Sequence, residues 1–314
     1  MESVPLGRSS LYSSRLAYSC WRIAGPDSSP GLTAEKLLAG KQAIHAAFEA
    51  GYTFFDHADI YGDGLVETLF CQVLKENPAM RDRIVIATKC GIRRAGEPWS
   101  DSPYRYDISA EHIIRSCEGS LQRLGVEVID LFQLHRPDFL CNPEEVAEAF
   151  DKLMRSGKVR EFGVSNFRPS QVAILQKYCS MPLVSHQVEI SLAELAVFED
   201  GTLDQCIIER ITPLAWSPLG GGVLGTPEKT DGIRPRHAVP AHLQEAIQAV
   251  AEARGVSRSV VSLAWLLKHP SGIIPIVGST DPGRIQDAVG ATEIELTRDE
   301  WYRLLSAARA EKLA

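Results

Sequence analysis

The chain has 314 residues, with 33 Lys and Arg against 40 Asp and Glu and a formal net charge of −7. Acids and bases are interspersed, so the basic block that nucleic acid or an anionic membrane surface requires is missing, and no run reaches membrane-spanning length. Seven cysteines without a close C-x-x-C pair give no support to a metal site or a redox dithiol and favour free thiols.

At the amino terminus, Met1-Glu-Ser-Val-Pro-Leu-Gly7 lacks a basic segment leading into a long apolar one, and a cytoplasmic protein is expected. Apolar runs then predict eight strands, at 16–21, 53–55, 84–88, 129–134, 161–164, 184–188, 212–216 and 273–277. Amphipathic stretches at 34–50, 110–124, 143–156, 171–178 and 243–253 alternate with them, as right-handed parallel crossovers require. Asn142-Pro143-Glu144-Glu145 reads as a helix start, with a capping side chain, a proline at the first helical position and acids in the first turn. Gly125 and Gly157 fit helix ends. No repeat or low-complexity linker breaks the alternation, so one (β/α)8 barrel domain over residues 1–314 is expected; such a barrel takes about 250 residues before insertions.

Four polar groups stand at or just beyond the ends of three of these segments. Asp56 and Tyr61 lie in Phe54-Phe-Asp-His-Ala-Asp-Ile-Tyr-Gly62, Lys89 closes the run from Ile84, and His135 closes the run from Ile129. In parallel neighbouring strands these ends share one edge, so the four groups are expected to converge on the face where barrels carry active sites. Reducing a carbonyl by hydride creates an alkoxide that needs a proton from a group already bonded to the oxygen. Tyr61 is the candidate donor, with the Lys89 ammonium expected to lower its pKa, Asp56 to hold Lys89, and a neutral His135 to orient the carbonyl. A Schiff-base aldolase using Lys89 would instead need that lysine neutral, which a neighbouring Asp56 opposes. Two long connections, 91–107 with Trp99, Tyr104 and Tyr106, and 219–240, rich in Gly and Pro, are expected to carry function on the same face. Gly220-Gly-Gly222 lies too late, and with the wrong spacing, for a G-x-G-x-x-G dinucleotide fingerprint.

These motifs, together with Ala87-Thr-Lys-Cys90, Leu134-His-Arg-Pro-Asp138, Gly157-Lys-Val-Arg-Glu-Phe-Gly-Val-Ser-Asn166 and Trp216-Ser-Pro-Leu-Gly220, resemble the aldo-keto reductases in order and spacing from Trp21 to Arg284. The resemblance implies a TIM barrel, a catalytic tetrad of Asp56, Tyr61, Lys89 and His135, and NADP(H) lying across the strand ends, with NAD(H) as the other possibility. It assigns the nicotinamide carboxamide to Ser165, Asn166 and Gln187, and the stacking aromatic to Trp216. Ser217, Leu219 and Gly220 match the loop along the pyrophosphate, while Cys20, Trp21 and Asp56 line the cofactor. Ser279 and Arg284 match the grip on an adenosine 2′-phosphate, with Gly278 where many relatives carry lysine, and Asp287 would face the adenine. A guanidinium suits that grip because its planar fork binds phosphate through two parallel hydrogen bonds.

Trp21, Tyr61, Trp99, Tyr106 and His135 are the expected substrate contacts, for a small carbonyl compound or its alcohol. The other class the resemblance leaves open is an accessory subunit that binds nucleotide with little turnover. Because the sequence stops soon after a helical segment at 298–310, one pocket wall is expected to be open and the substrate range broad. Oligomeric state and the individual substrate are not written in the chain.

Overall fold

The computed structural model describes residues 1–25, 33–225 and 238–309. The chain opens with an antiparallel hairpin of β1 (Ser3–Pro5) and β2 (Tyr12–Ser14). There follow β3 (Ala17–Ser19), α1 (Ala34–Glu49), β4 (Phe54–Asp56), α2 (Leu65–Glu76) and β5 (Val85–Cys90). A second hairpin, β6 (Ile92–Arg93) and β7 (Arg105–Tyr106), precedes α3 (Ala110–Leu124), β8 (Ile129–Leu134), α4 (Pro143–Arg155), β9 (Val159–Ser165) and α5 (Pro169–Tyr178). The described chain ends with β10 (Leu183–Glu189), α6 (Thr202–Glu209), β11 (Thr212–Trp216), α7 (Ala241–Arg254), α8 (Arg258–Leu267), β12 (Ile274–Val277), α9 (Pro282–Val289) and α10 (Arg298–Arg309).

Eight parallel strands close into a barrel in the order β3-β4-β5-β8-β9-β10-β11-β12, and β12 pairs back onto β3. Each predicted strand forms, with small shifts that matter at the site. The first is shorter than 16–21 because Cys20 begins a turn closed by the bond from the Ile23 amide to the Cys20 carbonyl. The second runs one residue further than expected, so Asp56 is held in the ladder itself, paired with Ser19 and Ala87.

Alternation along each strand sorts side chains into two shells. Phe54, Val85, Ala87 and Leu131 fill the barrel interior with Leu6, Leu11, Val184, Leu214 and Ile274. Phe55, Ile86 and Phe132 point the other way and pack beneath the helices. Two residues beyond the interior set on each strand come Asp56, Lys89 and Gln133, so the same parity that builds the core delivers polar groups above it.

Several helices start where the sequence has capping side chains. Asn142 accepts from the Glu144 amide, Ser109 from the His112 amide and Asp281 from the Arg284 amide. Gly125 closes α3 in the left-handed region. The helix expected at 143–156 ends at Arg155, and Ala310 of the expected 298–310 helix lies outside the described residues, as does 226–237 of the long connection at 219–240.

The hairpin β1–β2 seals the amino-terminal end of the barrel. Leu6 is fully buried, and the Gly7 amide donates to Thr212 Oγ1 at 2.7 Å. Ser14 and Thr53 bond reciprocally, each amide to the other's hydroxyl, at 2.7 and 2.9 Å. On the outside, Trp265 of α8 and Trp301 of α10 stack with centroids 5.1 Å apart, and each indole N–H donates to the other residue's carbonyl. Among the described residues, no helix is long and apolar enough to cross a membrane and no cluster of His, Cys, Asp and Glu could hold a metal ion.

Candidate active site

The four residues at the segment ends converge at the carboxyl-terminal face. Lys89 and Asp56 are both buried, with Nζ 2.6 Å from Asp56 Oδ1 and 2.6 Å from the His57 carbonyl. Burial pushes the Lys89 ammonium down and the Asp56 carboxyl up, and each partner's charge pulls the other back toward ionisation. A Gln187 hydrogen bond also helps keep Asp56 ionised.

Tyr61 sits in the short turn Tyr61–Gly64 that follows β4. Its ring lies 5.0 Å from Lys89 Nζ, 5.9 Å from the His135 ring in an edge contact and 6.5 Å from the Trp21 ring. The expected lowering of the phenol pKa by Lys89 is not what this environment produces. Burial, the Asp56 carboxylate and Cys20 hold the phenol well above its usual value, and the charge drawing it back down is Arg136. The physical reason is that the Lys89 charge is answered at 2.6 Å by Asp56, so the phenol meets a pair and not a lone cation. In the sequence Arg136 carries no signal beyond its place in Leu134-His-Arg-Pro-Asp138. Its position directly after the strand-end histidine was the available signal, and its guanidinium lies over the Trp216 ring at 6.0 Å.

His135 is buried and its amide donates to the Cys90 carbonyl, while its Nδ1 has no protein partner. Burial, with Lys89 and Arg136 adding to it, pushes its pKa well below the usual imidazole range, so the ring is neutral. Cys20, also buried, lies against Asp56, and its thiol is pushed up by burial.

Ser165, Asn166, Gln187 and Trp216 are brought together at the ends of β9, β10 and β11. The amide of Asn166 is engaged within the protein: Nδ2 donates to the His135 carbonyl at 3.2 Å and to Ser165 Oγ at 2.7 Å, and Oδ1 accepts from Trp216 Nε1 at 3.0 Å. Ser165 Oγ donates to the Gln187 carbonyl. Gln187 Oε1, by contrast, is a buried acceptor without a protein donor. Asn166 and Ser217 adopt left-handed backbone conformations, φ 62° and 50°, which turn the chain sharply at the strand ends. Leu219 leads into the turn Gly220–Gly222.

Further round the same face, Gly278 leaves open space where a side chain would stand, with only the Ser19 Cβ within reach at 3.7 Å. Ser279 Oγ accepts from the Asp281 amide, and Arg284 lies in the first turn of α9. Asp287 lies further along α9 and accepts from Ser257 Oγ at 2.6 Å. Trp99 lies in the chain between β6 and β7 and is 71% exposed, Tyr106 is half-buried edge-on to Tyr104, and Trp21 is the one of the three that reaches the phenol.

A family model described as "Aldo/keto reductase family" matches residues 35–309 of this chain. The chain belongs to the aldo/keto reductase family. Its similar relatives include a 6-dehydroglucose reductase of Novosphingobium aromaticivorans, 42% identical with 98% of this chain and 96% of that protein covered. A 6-dehydroglucose reductase of Agrobacterium fabrum is 38% identical over 96% of both chains. Oxidoreductase YdhF of Escherichia coli K12 is 39% identical, covering 94% of this chain and 93% of the relative. A crystal structure of a thermostable aldo-keto reductase with the inhibitor epalrestat shares the fold, with a TM-score of 0.82, 24% identity and coverage of 98% and 100%. This aldo/keto reductase is therefore an oxidoreductase working between carbonyl compounds and alcohols on a TIM barrel.

Proposed function

We propose that this aldo/keto reductase acts as one domain that reduces aldehydes or ketones with NADP(H), and that Tyr61 is the proton donor. The observation that carries the reading is the convergence of a buried Lys89–Asp56 pair, a neutral His135 and a protonated Tyr61 around one point at the strand ends. The dinucleotide fits the residues present, because the buried Gln187 Oε1 lacks a donor and a carboxamide N–H is of the right kind. Gln187, Ser165 and Asn166 would hold the carboxamide, Trp216 the ring face, and Ser217, Leu219 and Gly220 the pyrophosphate side. Cys20 and Trp21 would line the reactive end. Ser279 and Arg284 would meet a 2′-phosphate beside the α9 amino terminus, where the helix dipole favours an anion. When bound, the cofactor supplies the hydride.

The protein's part is the proton. Tyr61 holds the substrate oxygen and releases its proton to the forming alkoxide, while the neutral imidazole of His135 hydrogen-bonds the same oxygen and fixes its angle. Two of the three Lys89 hydrogens are engaged by Asp56 and the His57 carbonyl, which leaves one for the phenol oxygen as it becomes negative. A phenol held well above its usual pKa is protonated at neutral pH, so the resting site serves reduction, and alcohol oxidation should grow as pH rises.

The buried Lys89–Asp56 ion pair also disfavours a Schiff-base role for Lys89. The relatives' names make 6-dehydroglucose the first substrate to try. Activity on a panel of aldehydes, ketones and sugars with NADPH and with NADH tests the reading; no turnover of any carbonyl would defeat it. Arg284→Ala should weaken NADPH binding roughly ten- to a hundredfold and NADH binding little, as loss of a charge-assisted contact predicts. Equal losses in fluorescence titrations would remove Arg284 from the 2′-phosphate.

A further inference from the structure

Behind Tyr61 lies a second cluster of charged side chains that the proton-transfer scheme does not use. Asp59 lies in the turn that leads into Tyr61, closed by the Tyr61 amide donating to the Ala58 carbonyl, and its own amide donates to the Lys89 carbonyl at 2.9 Å. Its Oδ1 is sealed from solvent with no hydrogen-bond partner. Glu67, on α2 and fully buried, has both oxygens satisfied: Oε1 accepts from Thr88 Oγ1 at 2.7 Å, and Oε2 accepts from Arg123 Nε at 2.7 Å. Arg123 also donates to Ser120. The Arg123 charge thus acts on two carboxyl groups, and the one that holds its hydrogen bond is Glu67. Thr88, which anchors Glu67, is the neighbour of Lys89 in β5.

We propose that Asp59 holds its proton in the resting enzyme, and that losing it places a second negative charge behind Tyr61 and Lys89, making Asp59 the positioning residue that sets how reduction responds to pH. The proposal rests on Tyr61 being the proton donor. The groups facing Asp59 are Glu67 from α2, Ser116 and Arg123 from α3, Lys89 and Cys90 from β5, and Tyr61 from its own turn. Of these, Glu67 repels an ionised Asp59, while Arg123, the Ile60 amide and the Ser116 hydroxyl stabilise it, and burial outweighs them. The Asp59 carboxyl is thereby pushed up to about 7. Tyr61 titrates well above that and His135 well below, so neither supplies an ionisation in the same range. The proton leaves to bulk water, and no bond to substrate or cofactor changes.

The sign follows from the charges. An ionised Asp59 makes the phenolate of Tyr61 harder to form, so the phenol becomes a weaker acid, while Lys89, already held as an ammonium by Asp56, gains no charge that could offset it. With Tyr61 as donor, kcat/KM for reduction in the natural protein should fall roughly two- to tenfold between about pH 6 and pH 8.5, the size expected when a phenol moves by up to one pKa unit. Asp59→Asn mimics the protonated acid, so its profile should stay flat across that window. Glu67→Gln removes the repulsion and should shift the fall to lower pH.

Infrared difference spectra of the cofactor-free protein give a readout independent of turnover. A protonated-carboxyl stretch should disappear as pH rises through this range, and should be missing in Asp59→Asn. An inflection that persists unchanged in both variants, or a natural protein without that titrating stretch, overturns the proposal. Should Asp59→Asn not fold, Glu67→Gln and the infrared titration of the natural protein still decide it. If the stretch titrates as expected but Tyr61→Phe keeps full activity, the proton-donor reading fails while the ionisation of Asp59 stands.

Discussion

The two ends of the barrel use the same strands under opposite rules. At the amino-terminal floor, Leu6 and Leu11 extend the apolar interior, the buried hydroxyls of Ser13, Ser14 and Thr212 are engaged in hydrogen bonds, and the buried Asp130 carboxylate is paired with Arg81 and Arg160. At the carboxyl-terminal mouth, a few residues along the same strands, buried atoms of His57, Gln133, His135 and Gln187 have no partner, and Asn166 and Ser217 hold left-handed backbone. A buried donor or acceptor without a partner costs about 1–3 kcal/mol. The floor therefore stabilises the fold, and the mouth is held in place by it. Such a division lets chemistry change without rebuilding the barrel.

Changes at the mouth should separate activity from stability most widely. Tyr61→Phe removes one hydroxyl and should lower kcat by about two to four orders of magnitude, the usual contribution of a positioned general acid, with NADPH affinity nearly intact. Steady-state kinetics beside a cofactor titration measure both, and a near-normal kcat would remove Tyr61 from the reaction.

Lys89→Met is the case where the two rules meet, since it leaves Asp56 buried without its cation. A cost of about 3–5 kcal/mol in denaturant unfolding is expected, in addition to lost turnover. Asp56→Asn, which leaves a neutral acceptor beside Lys89, should be inactive as well. A Lys89→Met protein as stable as its parent would mean that Asp56 is neutral in the natural protein.

The floor should show the reverse pattern. Gly7 has φ +55°, and a Cβ there would come within 2.5 Å of the Val184 carbonyl oxygen, backbone that cannot swing aside. Gly7→Ala should destabilise the protein by about 1–3 kcal/mol while leaving KM and the kcat of the folded fraction unchanged. A change in substrate preference in this variant would show that floor and mouth are coupled.

Acid should act on the mouth before the floor. Burial pushes His57 down to about 3 and His186 to about 4, and His135 is also lowered well below the ordinary value. Unfolded imidazoles titrate near about 6.5, so below that pH the unfolded state binds more protons and stability falls as pH falls. Each such histidine contributes up to about 1.4 kcal/mol per pH unit until its folded pKa is reached. Urea unfolding at several pH values checks this, and His57→Val should flatten the slope. Asp59, pushed up to about 7, acts the other way because its folded state takes up a proton first, so the deciding window lies below about pH 6, and a slope there unchanged in His57→Val would contradict a neutral buried His57.

The barrel and the convergence of Asp56, Tyr61, Lys89 and His135 were legible in the sequence for the same reason. Strands buried on both faces read as apolar runs, and a polar residue ending such a run stands out; Lys89 after Ile84–Thr88 and His135 after Ile129–Leu134 show it. α8 was unreadable because Arg258–Leu267 is buried nearly all round and so has no polar stripe to give it a period. The β1–β2 hairpin depends on Leu6 and Leu11 finding the barrel interior, contacts made across most of the chain. The Asp59–Glu67–Arg123 cluster was invisible because its members come from a turn and two helices, each ordinary by itself.

The stacked Trp265 and Trp301 give the molecule a built-in optical signature. Two stacked indoles 5.1 Å apart with nearly parallel planes, each pinned through its N–H to the other's carbonyl, absorb as a coupled pair rather than as separate rings. That coupling exists only while α10 lies against α8. Near-ultraviolet circular dichroism from this pair would follow the docking of a single helix at the periphery, leaving the amide region to follow the barrel, so the order in which shell and barrel come apart could be recorded without attaching any label.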